Sequence, residues 1–284
     1  MEKNYRAELT GVFGDPVDGN PTGVMEEAAY DALGLNYRYI TMLVKKDDFP
    51  DAFRAVKAVN MKGVNLTMPY KLQVIPYLDE LTQAAEIIGA VNTVIVREDG
   101  TLLGENTDGK GFVEALARAG FSTEGKKISI LGAGGAARAI AVECALAGAA
   151  KLTVINRSAG RAAELAALIR DKTPADSEAL ALEPRMRVPE GTNILINATS
   201  IGLAPDSDKK PDLDYNSITA GMVVCDVVFN PAETLFLAEA EKRGARTVNG
   251  LGMLACQGAR NFTLWTGREA PLDVMEAKLR EEFS

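Results

Sequence analysis

Apolar positions in the first half of the chain alternate between short runs and longer amphipathic stretches. ELTGVFG at 8–14 predicts a strand, 23–34 a helix, YRYITMLV at 37–44 a strand, 48–59 a helix, and GVNLTM at 63–68 a strand that breaks at Pro69. KLQVIPYLDEL at 71–81 predicts another helix and AVNTVIV at 90–96 a short strand. In the second half, KKISIL at 126–131 reads as a buried strand, the alanine-rich run after GAGG as a helix, and KLTVIN at 151–156 as the strand that completes a βαβ unit. NILINATS at 193–200, MVVCDVVF at 222–229 and ARTVNG at 245–250 predict further strands, ALALE at 179–183 only a weak one, and LGMLACQGARNFTLW at 251–265 a helix. Strand and helix alternating in both halves predict an α/β protein: a Rossmann-type parallel-sheet nucleotide domain plus a smaller α/β domain.

Composition narrows the chemistry. A chain of 284 residues that is 47% hydrophobic can fill two cores. The amino terminus, MEKNYRAELTGVFGD, lacks a signal peptide's apolar run, and no stretch approaches the roughly 18 apolar residues that cross a bilayer, so a cytoplasmic protein is expected. Cys144, Cys225 and Cys256 form no CxxC pair and lie in apolar runs, as buried free thiols do. A formal charge of −8 argues against a nucleic-acid surface and leaves a small molecule as the expected partner. The chain contains no histidine, which removes Ser-His and Cys-His pairs and His-containing zinc sites; acid-base chemistry must use Lys, Asp, Glu, Tyr or Cys, and no metal is expected.

The strand-turn-helix at 126–149 contains Gly132-x-Gly134-x-x-Ala137, the GxGxxG/A pattern in which glycines let the backbone approach a pyrophosphate at the positive end of a helix. Gly132, Gly134, Gly135 and Ala136 are the candidate contacts. Where an acid would bind the NAD ribose, the chain instead reads Asn156-Arg157-Ser158-Ala-Gly-Arg161. Two guanidiniums and a hydroxyl suit the extra phosphate of NADP, although arginines at a helix start are also common solvated residues. Asn197, Thr199, Ser200 and Gly250 end later strands at the expected ligand edge of the sheet.

The first half has no phosphate fingerprint and is therefore the natural place for the molecule that the nucleotide oxidises or reduces. Lys71 falls where a strand gives way to a helix, and Asn106, Thr107 and Asp108 lie between a strand and a helix; a lysine there is as readily solvated, and an aspartate as readily an N-cap. NLTMPYK, GAVNTV, NTDGKGF, GAGGAARA, NRSxxR, INATSIG and NGLGMLACQGA, in this order, resemble the shikimate dehydrogenases and their quinate-type relatives, from about residue 9 to 268. The resemblance implies that Lys71 and Asp108 form the catalytic pair, that Thr67, Asn92 and Gln257 contact hydroxyls of a cyclic hydroxy acid, and that Gly250 and Met253 lie near the nicotinamide of NADP. It also implies a discontinuous substrate domain of residues 1–108 and 251–284 around a nucleotide domain of 109–250, with a cleft separating the two lobes. A monomer or homodimer is expected.

Two places depart from the family. Asn20-Pro21-Thr22, in the turn-rich loop GDPVDGNPTG, falls on the usual Ser-x-Ser whose hydroxyls hold the ring carboxylate, and Gly19 replaces a histidine. Phe229 in DVVFNP stands where a tyrosine is common and deletes a hydroxyl from the same end of the pocket. A site whose polar partners change can lose discrimination, so shikimate, quinate and an amino-substituted analogue all remain candidate substrates. A nucleotide-sensing protein that kept the fold, and a folate-type dehydrogenase, are the competing readings.

Overall fold

The computed structural model describes residues 4–283, which separate into two compact units: residues up to Thr107 together with Ala255–Glu282, and Asp108–Leu254 with Phe283. The first unit contains a six-stranded sheet of β1 (Glu8–Gly14), β2 (Tyr37–Leu43), β3 (Gly63–Leu66), β4 (Glu80–Leu81), β5 (Thr93–Val96) and β6 (Leu102–Glu105), in the order β2-β1-β3-β5-β6-β4. β1, β2 and β3 are parallel, whereas β5 runs antiparallel to both β3 and β6. The helices before residue 107 are α1 (Thr22–Ala32), α2 (Phe49–Ala58), α3 (Tyr70–Gln73) and α4 (Gln83–Ile88). One core joins Phe13, Leu66, Val64 and Val94 of the sheet to Phe49, Phe53 and Val56 of α2, with Tyr70 stacked on Phe49 at 4.4 Å between ring centres.

The helix expected over 71–81 does not form as one element. α3 stops at Gln73, a 3₁₀ turn covers Ile75–Tyr77, and the chain then enters β4. Pro76 explains the change, because it donates no N–H and clashes with the preceding turn of a continuing α-helix. α1, by contrast, ends where its pattern does: Gly34 takes φ +61°, and the Leu35 N–H returns to Tyr30 O at 2.9 Å.

The second unit begins in α5 (Thr107–Arg118) and alternates β7 (Lys127–Leu131), α6 (Gly135–Leu146), β8 (Lys151–Asn156), α7 (Ala159–Lys172) and β9 (Asp176–Ala181). It continues through β10 (Met186–Arg187), β11 (Ile194–Asn197), β12 (Leu213–Asp214), β13 (Val223–Asp226), α8 (Leu235–Glu241) and β14 (Arg246–Val248). Its main sheet is entirely parallel, in the order β14-β13-β11-β7-β8-β9, and β10 pairs with β12 separately. The apolar runs read as strands are central and buried, with Ile128, Ile130, Val154, Ile196 and Cys225 in one core. From β7 the chain first adds β8 and β9 on one side, then returns to add β11, β13 and β14 on the other. The carboxyl ends of β7 and β11 thus flank the point where strand order reverses, where open α/β sheets bind ligands.

β9 is longer than ALALE suggested and starts at Asp176, because Glu178 pairs with Lys151 Nζ at 2.7 Å and accepts from Thr153 Oγ1 at 3.0 Å across β8. Polar cross-strand contacts supply part of the pairing that an apolar pattern would reveal. The chain finishes with α9 (Gly250–Thr266) and α10 (Leu272–Glu282). All three cysteines are free and buried, and among the described residues no helix is long and apolar enough to cross a membrane.

Candidate active site

In the first unit the carboxyl ends of β1 and β3, the start of β5 and the end of β6 meet at one edge of the sheet, since Asn65 pairs with Thr93 and Thr93 with Glu105. The residues singled out in this half gather there. The loop after β1 is tied to the end of β3: Thr67 N–H donates to Phe13 O at 3.0 Å and Asp15 N–H to Met68 O at 3.0 Å, and a Cβ on Gly14 would come within 2.3 Å of Thr67 Cγ2. Tyr70 N–H donates back to Thr67 O at 2.8 Å, so Lys71 follows directly in the first turn of α3, half-buried. Asn20 Oδ1 accepts the Thr22 N–H at 3.0 Å, satisfying one of the amides that open α1, and Thr22 is buried.

Behind these residues runs a chain of buried hydrogen bonds. Tyr39 Oη donates to Asn65 Oδ1 at 2.9 Å, and Asn65 Nδ2 donates to Asn92 O and to Thr93 Oγ1, both at 3.0 Å. Asn92 Oδ1 accepts the Thr107 N–H at 2.8 Å while its Nδ2 donates to Thr107 Oγ1 at 3.0 Å. The Thr93 and Thr107 hydroxyls both donate to Asn261 Oδ1 at 2.8 Å, and Asn261 Nδ2 donates to Gln257 Oε1 at 3.2 Å. Such a connected set fixes side-chain directions, because its members hold one another in place. Gln257 and Asn261 are four residues apart on α9 and therefore share a face.

Asn65, Thr93, Asn261 and Tyr39 were not singled out from sequence. The readable signal was a polar residue inside an apolar strand, as in GVNL, and a second amide one helical turn after Gln257. Glu26 was also missed: it is fully buried on α1, and burial raises its carboxyl well above the usual range. Burial, followed by the charge of Glu26, likewise raises the Tyr39 hydroxyl.

In the second unit, the turn between β7 and α6 has the shape its glycines suggest. Gly132 takes φ +113°, a conformation that favours glycine, and a Cβ there would meet Ala198 O at 2.9 Å. Nothing lies within 4 Å of a Cβ built on Gly134 or Gly135, so the amino end of α6, continuing through Ala136, is open to a pyrophosphate. Asn156 ends β8, its Nδ2 donating to Ser158 O at 3.1 Å; Ser158 caps α7, and Arg157 and Arg161 are both exposed. These residues fit a dinucleotide carrying a further phosphate.

Thr199 Oγ1 donates to Asn197 Oδ1 at 2.6 Å, and Asn197 Nδ2 donates to Asp226 Oδ1 at 2.9 Å. Asp226 also accepts from Val228 N–H at 3.0 Å and Thr234 Oγ1 at 2.7 Å, while burial pushes its carboxyl up to about 6. Gly250 N–H donates to Val228 O at 3.2 Å, and a Cβ on Gly250 would strike Val227 O at 2.4 Å. Met253 packs partly buried against the core of this unit, Asp108 is half-buried in the first turn of α5, and the Phe229 ring packs against Phe283 at 5.3 Å.

Comparison with known proteins matches nearly the whole chain. The shikimate dehydrogenase substrate binding domain matches residues 12–94, shikimate / quinate 5-dehydrogenase residues 115–203, and the shikimate 5'-dehydrogenase C-terminal domain residues 250–280. The chain is 46% identical to shikimate dehydrogenase (NADP(+)) of Moorella thermoacetica, over 96% of this chain and 92% of that one. Among solved structures it is similar to ligand-free 5-ketofructose reductase of Gluconobacter sp. strain CHM43, with 47% identity, TM-score 0.95 and coverage of 99% of this chain and 100% of that one. It is similar also to shikimate 5-dehydrogenase of Thermus thermophilus in complex with NADP(H) and shikimate, with 35% identity, TM-score 0.85 and coverage of 96% and 99%. With its parallel nucleotide-type sheet, open glycine turn and full-length likeness to these oxidoreductases, the chain belongs to the shikimate dehydrogenase family.

Proposed function

We propose that the protein is an NADP-dependent oxidoreductase that interconverts a ring alcohol and a ketone on shikimate or a close analogue such as quinate or an amino-substituted shikimate. The observation that carries this reading is Lys71 in the first turn of α3, four residues after Thr67 and at the same sheet edge as the hydrogen-bonded Asn92 and Gln257. The first unit supplies substrate binding and the second holds NADP, with Gly132, Gly134, Gly135 and Ala136 at the pyrophosphate, Asn156, Arg157, Ser158 and Arg161 at the ribose phosphate, Thr199 facing the cofactor, and Gly250 and Met253 toward the nicotinamide.

When bound, NADPH supplies the hydride that reduces the carbonyl carbon. Lys71 gives its proton to the oxygen that takes up charge, and in the reverse direction it removes the proton from the alcohol. Asp108 orients Lys71 and accepts from the same hydroxyl, while Thr67, Asn92 and Gln257 hold the remaining hydroxyls. The 46% identity to an NADP-dependent shikimate dehydrogenase favours this over a nucleotide sensor.

A second reading is favoured by the loop after β1, where Asn20 and Thr22 replace two serines and the Asn20 carbonyl is engaged by the α1 amide. The similar Gluconobacter protein is named for an uncharged diketose, so a neutral polyhydroxy ketone joins the substrate candidates.

One panel tests both. NADPH oxidation is measured with 3-dehydroshikimate, 3-dehydroquinate and 5-ketofructose, and NADP reduction with the corresponding alcohols. Lys71→Ala should lower kcat on the accepted substrate by about 10²-fold or more with a much smaller change in KM. Wild-type turnover in that variant would overturn the assignment of Lys71.

A further inference from the structure

We propose that Asn261 is a positioning residue that holds the Gln257 amide with its Nε2 donor, and not its carbonyl, turned toward the substrate. The inference rests on the reading above, in which Gln257 meets a substrate oxygen, and it concerns residues of the first unit alone.

Two backbone groups set the polarity of the buried chain that ends at Gln257. The Thr107 N–H can only donate, so the Asn92 atom 2.8 Å from it is Oδ1, and Asn92 Nδ2 is left to donate to Thr107 Oγ1 at 3.0 Å. The Asn92 backbone carbonyl can only accept, so the Asn65 atom 3.0 Å from it is Nδ2, which donates to Thr93 Oγ1 as well. Each threonine oxygen therefore already accepts from an amide and has its own proton to give. Both lie 2.8 Å from one atom of Asn261, its carbonyl Oδ1. The other end of that amide, Nδ2, is thereby directed at Gln257 Oε1, 3.2 Å away.

Asn261 is 0% exposed and Gln257 8%, so little water reaches this pair to relieve a mismatch if either amide turned over. With Oε1 taken by Asn261, the far end of the planar Gln257 amide is Nε2, which has donors and no acceptor. The substrate group it suits is a hydroxyl or ketone oxygen that offers a lone pair. An aspartate at 261 would keep the shape and still receive both threonine hydroxyls, but its second oxygen would draw Nε2 inward and leave the Gln257 carbonyl facing the substrate. Asn261 thus acts on the substrate only through Gln257.

The test is a double-mutant cycle on whichever ketone of the panel above the wild type reduces with NADPH, measured at pH 8 so that the introduced carboxyl ionises. Asn261→Asp should lower kcat/KM by about tenfold, carried mainly by a higher KM, as expected when one hydrogen bond is lost and acceptor faces acceptor. In a Gln257→Leu background the same substitution should change kcat/KM by less than about twofold. The rise in melting temperature with NADP should stay as in the wild type throughout. Losses that multiply in the double variant would overturn the inference, as would an unchanged KM in Asn261→Asp or a weakened NADP shift, which marks a merely structural role. If Asn261→Asp does not fold, Asn261→Ser withdraws the Nδ2 donor without adding charge, and its smaller loss of about threefold should vanish in the same background. Wild-type turnover of no substrate in the panel would bring down the oxidoreductase reading and this inference together.

Discussion

At the scale of single residues, this chain keeps several polar side chains in its interior and pairs nearly all those described above. Asp226 shows what pairing and burial do together. Three hydrogen bonds favour its ionised form, yet burial wins and its pKa is pushed up to about 6, above the roughly 3.9 of an unfolded aspartate. The native state therefore holds more protons than the unfolded one between about pH 4 and 6, and the stability this group contributes is present below that window and lost as pH rises through it. Urea denaturation at pH 4, 5, 6 and 7 should show wild type losing about 2–3 kcal/mol relative to Asp226→Asn across the window. A constant difference would refute the shift. Legibility at this scale followed motif density. Lys71, Asn92 and Gln257 stand out in the sequence because each lies in a run of recognisable neighbours. Asn65, Asn261 and Glu26 were not, because a polar letter in a sequence does not declare whether it faces solvent or a sealed interior, and that depends on which strand or helix comes to cover it.

Among the elements, the parallel strands of the second unit were legible because both their faces are covered, which leaves continuous apolar runs. β9, with its charged partners, and the interrupted segment after Pro69 were not, since cross-strand pairing and one proline outweigh local pattern there. Glycines in NTDGKGF carried information that periodicity could not use. A Cβ on Gly109 of α5 would lie 2.2 Å from Ala139 O on α6, so the two helices approach over bare backbone. Gly109→Ala should force them apart and lower stability by about 1–3 kcal/mol, read from the urea midpoint. Gly160→Ala, on α7 with nothing within 4 Å of the new methyl, should raise it by roughly 0.5–1 kcal/mol. Equal effects of the two substitutions would contradict the close helix contact.

For the whole molecule, the reading of two α/β halves came from alternation and the glycine turn, while the mixed strand directions of the first sheet depended on long-range pairing that no local window contains. NADP at 100 times its dissociation constant should stabilise the protein by about 2.7 kcal/mol and raise its melting temperature. In Arg157→Ala/Arg161→Ala the shift at the same NADP concentration should shrink sharply, whereas the shift with NAD should change little; equal losses with both would refute a role in reading the extra phosphate. The unit boundaries fall at Thr107/Asp108 and Leu254/Ala255, inside α5 and α9. The first unit is completed only by α9, whose Trp265 donates to Val94 O at 3.0 Å and whose Asn261 receives the Thr93 and Thr107 hydroxyls. During synthesis on a ribosome the sheet emerging first must therefore wait, unfinished, for a helix translated about 150 residues later, while the uninterrupted second unit can fold ahead of it.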